Sequence, residues 1–295
     1  MKRYILGVLV VFAFVAVSIA AAPVLTFTFS DVHASKTAIE TDTYGVNNTG
    51  VIAGDYIDSA SVQHGMILAG NKLTTVDNKS CAAGTLAFYG INSANTVVGW
   101  CISAKTGLDI GLEYSKGKFT SINYPKSNGT QVTGINDKGE VVGLYLDSAS
   151  AEHGFSKIGA KYASINVKGA TATVAWGVNN KGQITVYGTN AAGYNDAYLV
   201  TGKTFKKIDN PNANKTAGEG TIVHTPNNKG DIDGTYYDTA GNERGWLLHL
   251  GKYYDVSDPN GPNVTRADGL NDKLEIVGRY TPSAGGSVGF KATTK

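Results

Sequence analysis

Two histidines stand at equivalent positions of a repeated pattern, and they are the first residues in the sequence that could carry chemistry. His64 follows Gln63 and His153 follows Glu152, in each case directly before a glycine and an apolar residue; Arg244 takes the same place in a later copy. Imidazole, carboxylate and guanidinium groups bind polar ligands at neutral pH. We therefore predict ligand-binding residues among His64, Glu152, His153 and Arg244. The alternative is a repeated hydrogen bond that fixes a loop, because periodic residues usually serve the scaffold.

The other chemically active residues match no catalytic or metal-binding spacing. His33, His224 and His249 are scattered and form no HExxH pattern. Asp231 and Asp233 resemble an acidic calcium loop, but they lie where other copies have a strand, so we predict strand residues without a metal. The sequence has no GxSxG, phosphate-loop or dinucleotide fingerprint. We therefore assign no catalytic residue, no metal and no cofactor.

The sequence contains two cysteines, Cys81 and Cys101. An even number of cysteines in an exported chain permits one disulfide. The alternative is two separate thiols, since Cys101 stands where other copies carry a packing tyrosine.

A stretch typified by GINDKGEVVGLYLD, residues 134–147, recurs six times. The copies align on one glycine, replaced once by threonine, at intervals of 43 to 48 residues: Gly45, Gly90, Gly134, Gly177, Thr225 and Gly269. A turn follows each copy's first strand, and its fourth residue should be left-handed, as in a three-residue hairpin loop. That residue is Gly50, Gly139, Gly182 and Gly230 in four copies and Asn95 in another. Leu274 breaks the pattern, so we expect a different turn or strain there.

Within the second strand of the repeat, two further positions recur. One is the glycine set Gly54, Gly99, Gly143, Gly234 and Gly278, for which we expect close backbone approach between neighbouring sheets. The other is the tyrosine set Tyr56, Tyr145, Tyr236 and Tyr280, for which we expect a packing role.

Each copy contains four short segments with strand patterning, and the last copy lacks its fourth. Residues 25–31 have the pattern of that missing strand. Four strands in about 44 residues are typical of a propeller blade. We therefore predict an all-β fold, a six-bladed β-propeller of four-stranded blades whose ring is closed by an N-terminal strand that completes the last blade. The alternative, an open β-solenoid, gives no role to a strand exchanged between the chain ends.

The first 22 residues have the features of a secretory signal peptide: Lys2 and Arg3, an apolar run, and small residues before Pro23. The alternative is an uncleaved membrane anchor. Without that segment the chain has 24 basic and 24 acidic residues and no basic stripe, which argues against nucleic-acid binding. We predict domains at 1–22 (signal peptide) and 23–295 (one propeller), a monomer that is secreted or held in the periplasm or cell envelope, and no membrane association after cleavage.

The combination of GINDKG, VVGLY and HGF at fixed offsets resembles the HAF-type extracellular repeat of secreted bacterial proteins, over nearly all of the mature chain. The resemblance implies an exported bacterial β-repeat protein. It implies no catalytic residues.

Sequence leads to three functional hypotheses. The first is a non-enzymatic binding propeller whose ligand, a glycan or a partner protein, is recognised on the face that carries the variable loops. The second is a secreted hydrolase or lyase that acts on a polysaccharide or lactone at the channel mouth. The third is a structural protein without a ligand. We place binding above a purely structural role, and both above catalysis.

Overall fold

The computed structural model describes residues 24–294. Their 24 strands form six antiparallel sheets of four strands each. Consecutive sheets pack against one another, and the innermost strands of the last sheet and the first are also in contact. The chain is therefore a six-bladed β-propeller, as the repeat predicts, and the open solenoid is wrong.

The first three blades follow one another along the chain. Blade one consists of β2 (Glu40–Val46), β3 (Ile52–Ile57), β4 (Gln63–Ala69) and β5 (Lys72–Val76). Blade two consists of β6 (Ala87–Ile91), β7 (Val97–Ile102), β8 (Asp109–Ser115) and β9 (Lys118–Ile122). Blade three consists of β10 (Gly129–Ile135), β11 (Val141–Leu146), β12 (Glu152–Ile158) and β13 (Lys161–Ile165).

The other three blades repeat this order, with one exchange at the end. Blade four consists of β14 (Ala172–Val178), β15 (Gln183–Thr189), β16 (Asn195–Thr201) and β17 (Thr204–Lys207). Blade five consists of β18 (Thr221–Pro226), β19 (Ile232–Tyr237), β20 (Glu243–His249) and β21 (Lys252–Asp255). Blade six consists of β22 (Thr265–Leu270), β23 (Ile276–Tyr280), β24 (Val288–Thr294) and β1 (Phe27–Val32).

Pairing between β1 and β24 closes the ring. The two strands are antiparallel, in register from Phe27 opposite Thr294 to Val32 opposite Gly289. The ring of Phe29 packs edge-on against Phe290, with 5.4 Å between centroids. The prediction that residues near the N-terminus supply the missing strand is confirmed.

The hairpin turns between the first two strands of each blade have the predicted geometry. The fourth turn residue has a φ of +60 to +97° in every blade, including +60° at Asn95. Leu274 adopts the same turn, since its amide bonds the Asn271 carbonyl at 3.2 Å and its φ is +60°. The expectation of a different turn is therefore wrong, and its alternative, strain at a leucine, is confirmed.

The glycine set in the second strand has a different cause from the expected one. A β-bulge leaves one residue of the innermost strand without a partner in every blade but the fifth, as at Tyr44 between Thr43 and Gly45. In blade five the irregularity spans two residues, between Val223 and Pro226. The bulge brings the Asp42 carbonyl over Gly54, where a Cβ atom would lie 2.0 Å from that oxygen. Both residues belong to blade one, so the expected approach between neighbouring sheets is wrong at this position.

Neighbouring blades approach one another at the glycine on which the copies align. A Cβ atom on Gly134 would lie 2.6 Å from the Trp176 carbonyl oxygen and 3.0 Å from the Cα of Gly177, both in blade four. Gly45 and Gly90 make the equivalent approach between blades one and two. In the five blades that carry this glycine, its missing side chain therefore allows the innermost strands to meet around the axis.

An asparagine follows each of these positions and links the blades into a hydrogen-bonded ring. In every blade its Nδ2 donates to the backbone carbonyl of the equivalent asparagine in the next blade, at 3.0 to 3.4 Å. Its Oδ1 accepts from turn amides, as Asn136 does from Lys138 and Glu140 at 3.0 Å each. The six residues of this asparagine ring are Asn47, Asn92, Asn136, Asn179, Asn227 and Asn271.

Blade five departs from the repeat. Thr225 and Pro226 replace the glycine and apolar residue, and Pro226 has no amide hydrogen to donate to the ladder. The Thr225 amide donates instead to Oδ1 of buried Asp233, at 2.6 Å. Asp233 lies in β19, as predicted, and Asp231 directly precedes that strand and bonds His249 at 2.7 Å.

A disulfide joins Cys81 to Cys101, with 5.7 Å between the Cα atoms, so the two are not separate thiols. It attaches the connection between β5 and β6 to β7. The Ala82 amide also donates to the Ile102 carbonyl at 2.7 Å. The disulfide therefore shapes one loop of the variable face.

The predicted signal segment, residues 1–22, lies outside the described residues. Within residues 24–294 there is no helix of the length and apolarity that a membrane span requires.

Two glycine-to-alanine substitutions in blade three should differ sharply in their effect on stability. Gly139 has a φ of +75° with open space around it, so Gly139→Ala should lower the free energy of unfolding by only about 1 kcal/mol. In Gly143→Ala the Cβ atom would lie 2.0 Å from the Gln131 carbonyl oxygen, so the loss should be about 3 kcal/mol or more. Urea unfolding of both variants measures the difference; equal losses would contradict the bulge explanation.

Candidate functional site

His153 is held between two partners on the variable-loop face. Its Nδ1 lies 3.0 Å from Oδ1 of Asn166 and its Nε2 lies 3.0 Å from Oδ2 of Asp147. The imidazole stacks on Tyr145 at 5.1 Å. The hydrogen bond to Asp147, and then that to Asn166, raises the pKa of His153. The imidazole thus links the loop between β11 and β12, through Asp147, to the connection that follows β13, through Asn166.

His64 repeats this arrangement in blade one. Its Nδ1 lies 2.8 Å from Asp77 and its Nε2 lies 3.3 Å from Asp58. Beside it, a cleft of about 330 Å³ between blades one and two is lined by Asp77, Leu86 and Cys81 among others. His64 therefore combines loop hydrogen bonds with a place on the wall of a cleft.

The structure does not bring the four predicted site residues together. Arg244 in blade five donates from Nε to Asp238 at 3.0 Å and from a terminal nitrogen to the Pro262 carbonyl at 2.7 Å. Glu152 is exposed at the start of β12. Three different blades carry these residues, and their role in ligand binding stays a prediction.

A different set of residues converges on the propeller axis. These residues directly precede the alignment glycine, or Thr225 in blade five. The glycine recurs in five blades, whereas no residue type at the preceding position occurs in more than two. In blade three the preceding residue is small, and Tyr89 and Trp176 meet above it, with 5.9 Å between ring centroids, although they belong to blades two and four. The six residues form the floor of the axial channel on the variable-loop face: Tyr44, Tyr89, Thr133, Trp176, His224 and Asp268.

Contacts among the floor residues run around the axis. Tyr44 packs against Tyr89 at 4.4 Å, and Trp176 packs against His224 at 4.6 Å. His224 lies 3.5 Å from Asp268, measured from Nδ1 to Oδ1. Burial lowers the pKa of His224, which keeps its imidazole neutral.

Beneath the floor the channel is too narrow for a ligand. The two cavities along the axis have volumes of about 40 and 80 Å³, enough for only a few water molecules. Both are lined by apolar residues that follow the alignment glycines, including Val46, Ile91 and Ile135. A ligand that approaches the axis from the variable-loop face must therefore sit on the floor.

Above the floor, one side of the channel is aromatic. Trp100 stands parallel to Tyr89, with 6.4 Å between ring centroids, and Tyr187 lies 6.4 Å from Trp176. All four side chains are only half-buried, so their outer faces reach solvent. Burial raises the pKa of Tyr89 to about 12, so its hydroxyl stays protonated and can donate a hydrogen bond.

The opposite side is charged. Arg266 makes two hydrogen bonds to the Glu243 carboxylate, one of 2.7 Å from Nη2 to Oε1 and one from Nε to Oε2. Arg279 donates to Asp268 at 3.1 Å and lies 3.9 Å from Asp42. Its guanidinium also stands over the ring of Tyr44, at 4.8 Å from the centroid.

We call this site the axial mouth. Its aromatic side consists of Tyr44, Tyr89, Trp100, Trp176 and Tyr187, and its charged side of Asp42, Glu243, Arg266, Asp268 and Arg279. It can stack a flat or ring-shaped ligand and offer hydroxyl, carboxylate and guanidinium groups at the edge of that ligand.

Reasoning from the sequence placed a site at the channel mouth only for the hydrolase alternative, and it identified none of the residues of the axial mouth because it looked for binding residues in the loops. A signal was present: the residues before the alignment glycine vary between copies while that glycine and the following asparagine persist. Variation at a fixed position of a regular repeat marks residues that the scaffold does not require.

The fold is similar to that of several solved structures, among them a six-bladed β-propeller. A fucose-binding lectin from Aleuria aurantia matches with a TM-score of 0.55 and 11% identity, over 87% of this chain and 93% of its own. SapL1 lectin, in complex with α-methyl fucoside, matches with a TM-score of 0.54 and 9% identity over 86% and 92%. The propeller domain of the trilobed protease from Pyrococcus furiosus has a TM-score of 0.50 and 9% identity over 87% and 97%. At such identities the likeness shows the fold alone.

No protein-family model and no curated protein sequence matches the chain.

Proposed function

We propose that the protein is a non-enzymatic propeller that binds a glycan at the axial mouth. The observation that carries the proposal is the juxtaposition of Trp176 and Tyr89 across the axis, opposite Arg266 and Arg279. A sugar ring presents apolar C–H faces and a polar edge of hydroxyl groups. An aromatic wall facing paired ionic groups complements both.

Within residues 24–294 the site occurs once. The mouth lies on the propeller axis and combines different residue types from several blades, so no single blade can reproduce it. We therefore expect one ligand per molecule at the axis. A partner protein remains the alternative ligand, and it would present an exposed side chain to the same aromatic residues.

The comparisons support the class of ligand but not its identity. Two of the similar propellers are described as recognising fucose or binding a fucoside. Because identity to them is only 9 to 11%, no binding residue is transferred from them to this chain.

Replacement of the mouth tryptophans should weaken binding. Trp100→Leu and Trp176→Leu each remove a stacking surface, and we expect dissociation constants at least about tenfold higher for any glycan that the protein binds. The third tryptophan, Trp246, is fully buried in blade five, so tryptophan fluorescence of a Trp246→Phe protein reports on the mouth.

The control is His153→Gln, which alters a variable loop but leaves the mouth intact. Thermal unfolding verifies that each variant is folded. If His153→Gln weakens binding and the tryptophan substitutions do not, the ligand binds at the variable loops and not at the axial mouth. If the protein binds no glycan on a glycan array, the proposal is contradicted.

Catalysis is the second candidate, and one observation favours it. Asp42 and Asp55 face each other across β2 and β3, and burial, followed by the Asp42 charge, raises the pKa of Asp55 well above its usual range. Two adjacent carboxyl groups, one of them with a raised pKa, are an arrangement suited to general-acid chemistry on glycosides.

If the protein hydrolyses a polysaccharide, Asp55→Asn should lower the rate by about 100-fold or more while leaving binding intact. Reducing-end assays with wild-type protein and this variant measure both. Absence of turnover on every polysaccharide that binds would exclude this second function.

We also propose export, with residues 1–22 as a cleaved signal peptide, in a protein of the HAF repeat type. The disulfide between Cys81 and Cys101 supports this, since disulfides persist in oxidising compartments. Mass spectrometry of the protein from its native host should give an N-terminus within residues 21–23. An intact N-terminus would instead support a retained anchor.

A further inference from the structure

We infer that the axial mouth accepts uncharged sugars and excludes anionic ones such as uronic acids. The inference rests on the proposed glycan-binding function. It concerns the charge of the ligand, which aromatic stacking alone does not decide.

The guanidinium of Arg266 is the first group in the mouth that could bind an anionic ligand, but it is already paired with the Glu243 carboxylate. Two of its nitrogens bond the two oxygens of Glu243, which is the bidentate geometry that a ligand carboxylate would need. The Glu243 side chain is only 13% exposed and also accepts from the Tyr237 hydroxyl at 3.0 Å. The Glu243 carboxylate therefore takes the position beside Arg266 that a ligand carboxylate would need.

Arg279 is also paired with a carboxylate, through a single hydrogen bond. It bonds Asp268, whose side chain is 2% exposed, and its flat face covers Tyr44. A ligand carboxylate would have to displace a buried carboxylate to reach it, and an unpaired buried charge is strongly unfavourable.

The charges of the mouth also sum against an anion. Two guanidinium groups, of Arg266 and Arg279, face three carboxylates, of Asp42, Glu243 and Asp268. These five groups sum to a net charge of about −1. The neighbouring Asp55, whose pKa is raised by burial, adds no positive charge to them. An approaching carboxylate is repelled, whereas hydroxyl groups can still donate to the carboxylate oxygens.

The substitution Glu243→Gln tests the inference because it frees Arg266. The probes are oligosaccharides on an array, in pairs that end in glucose or glucuronic acid and in galactose or galacturonic acid. Wild-type protein should bind the neutral member of a pair at least about tenfold more tightly than the acidic member. In Glu243→Gln the ratio of the two dissociation constants should fall by about tenfold, so that the preference disappears or is reversed.

Two further variants isolate the cause. Asp238→Asn changes the net charge by the same amount but frees Arg244, which is not part of the mouth, and should leave the ratio unchanged. The double variant Glu243→Gln/Arg266→Gln has no free guanidinium at this position and should regain the preference for neutral sugars. Thermal unfolding of each variant confirms that the ring is intact.

Equal binding of neutral and acidic sugars by the wild-type protein overturns the inference and leaves the proposed function standing. So does a preference for neutral sugars that Glu243→Gln does not alter, because the pairing of Arg266 then has no effect on selection. Failure to bind any member of the array overturns the proposed function and the inference together.

Discussion

Six innermost strands meet around one axis, and the space between them determines the rest of the structure. At the point of closest approach five blades carry glycine, since a Cβ atom on Gly134 would lie 2.6 Å from the Trp176 carbonyl oxygen, and blade five carries Thr225. The bulge at this position leaves the preceding residue of each innermost strand outside the ladder, together with Thr225 itself in blade five. Those six preceding residues form the floor at the variable-loop face. The mouth is thus a by-product of the packing that holds the ring together.

The two ends of the axis differ in how far their residues are repeated between blades. At the hairpin face every blade supplies an asparagine to the same hydrogen-bonded ring, and its position in the repeat is constant. At the other face the equivalent positions hold a tyrosine, a tryptophan, a threonine, a histidine or an aspartate. Ring closure thus requires identity at one end, while the other end is left to differ between blades.

Local chemistry in the sequence was enough to predict the blades, the turns and the closing strand. Gly139 and Asn95 identify left-handed positions because few residues tolerate positive φ. The role of Gly54 could not be found in this way, since it depends on a bulge in the partner strand. The pairing of Tyr89 with Trp176 was equally hidden, because two residues 87 positions apart meet only once the ring exists. The ion pair of Arg266 with Glu243 was hidden for the same reason, since it joins residues of two different blades.

The strand exchange in blade six also orders events in time. During synthesis β1 is among the first of the described strands to be made, and its partner β24 is the last. Its hydrogen-bonding edge must wait for the chain between them, as the bond between Ser30 and Lys291 spans 261 positions. Closing a loop of that length is entropically the most demanding pairing in the fold. Blades one to five can each form from a continuous segment, so the ring is completed by one long-range event at a single seam.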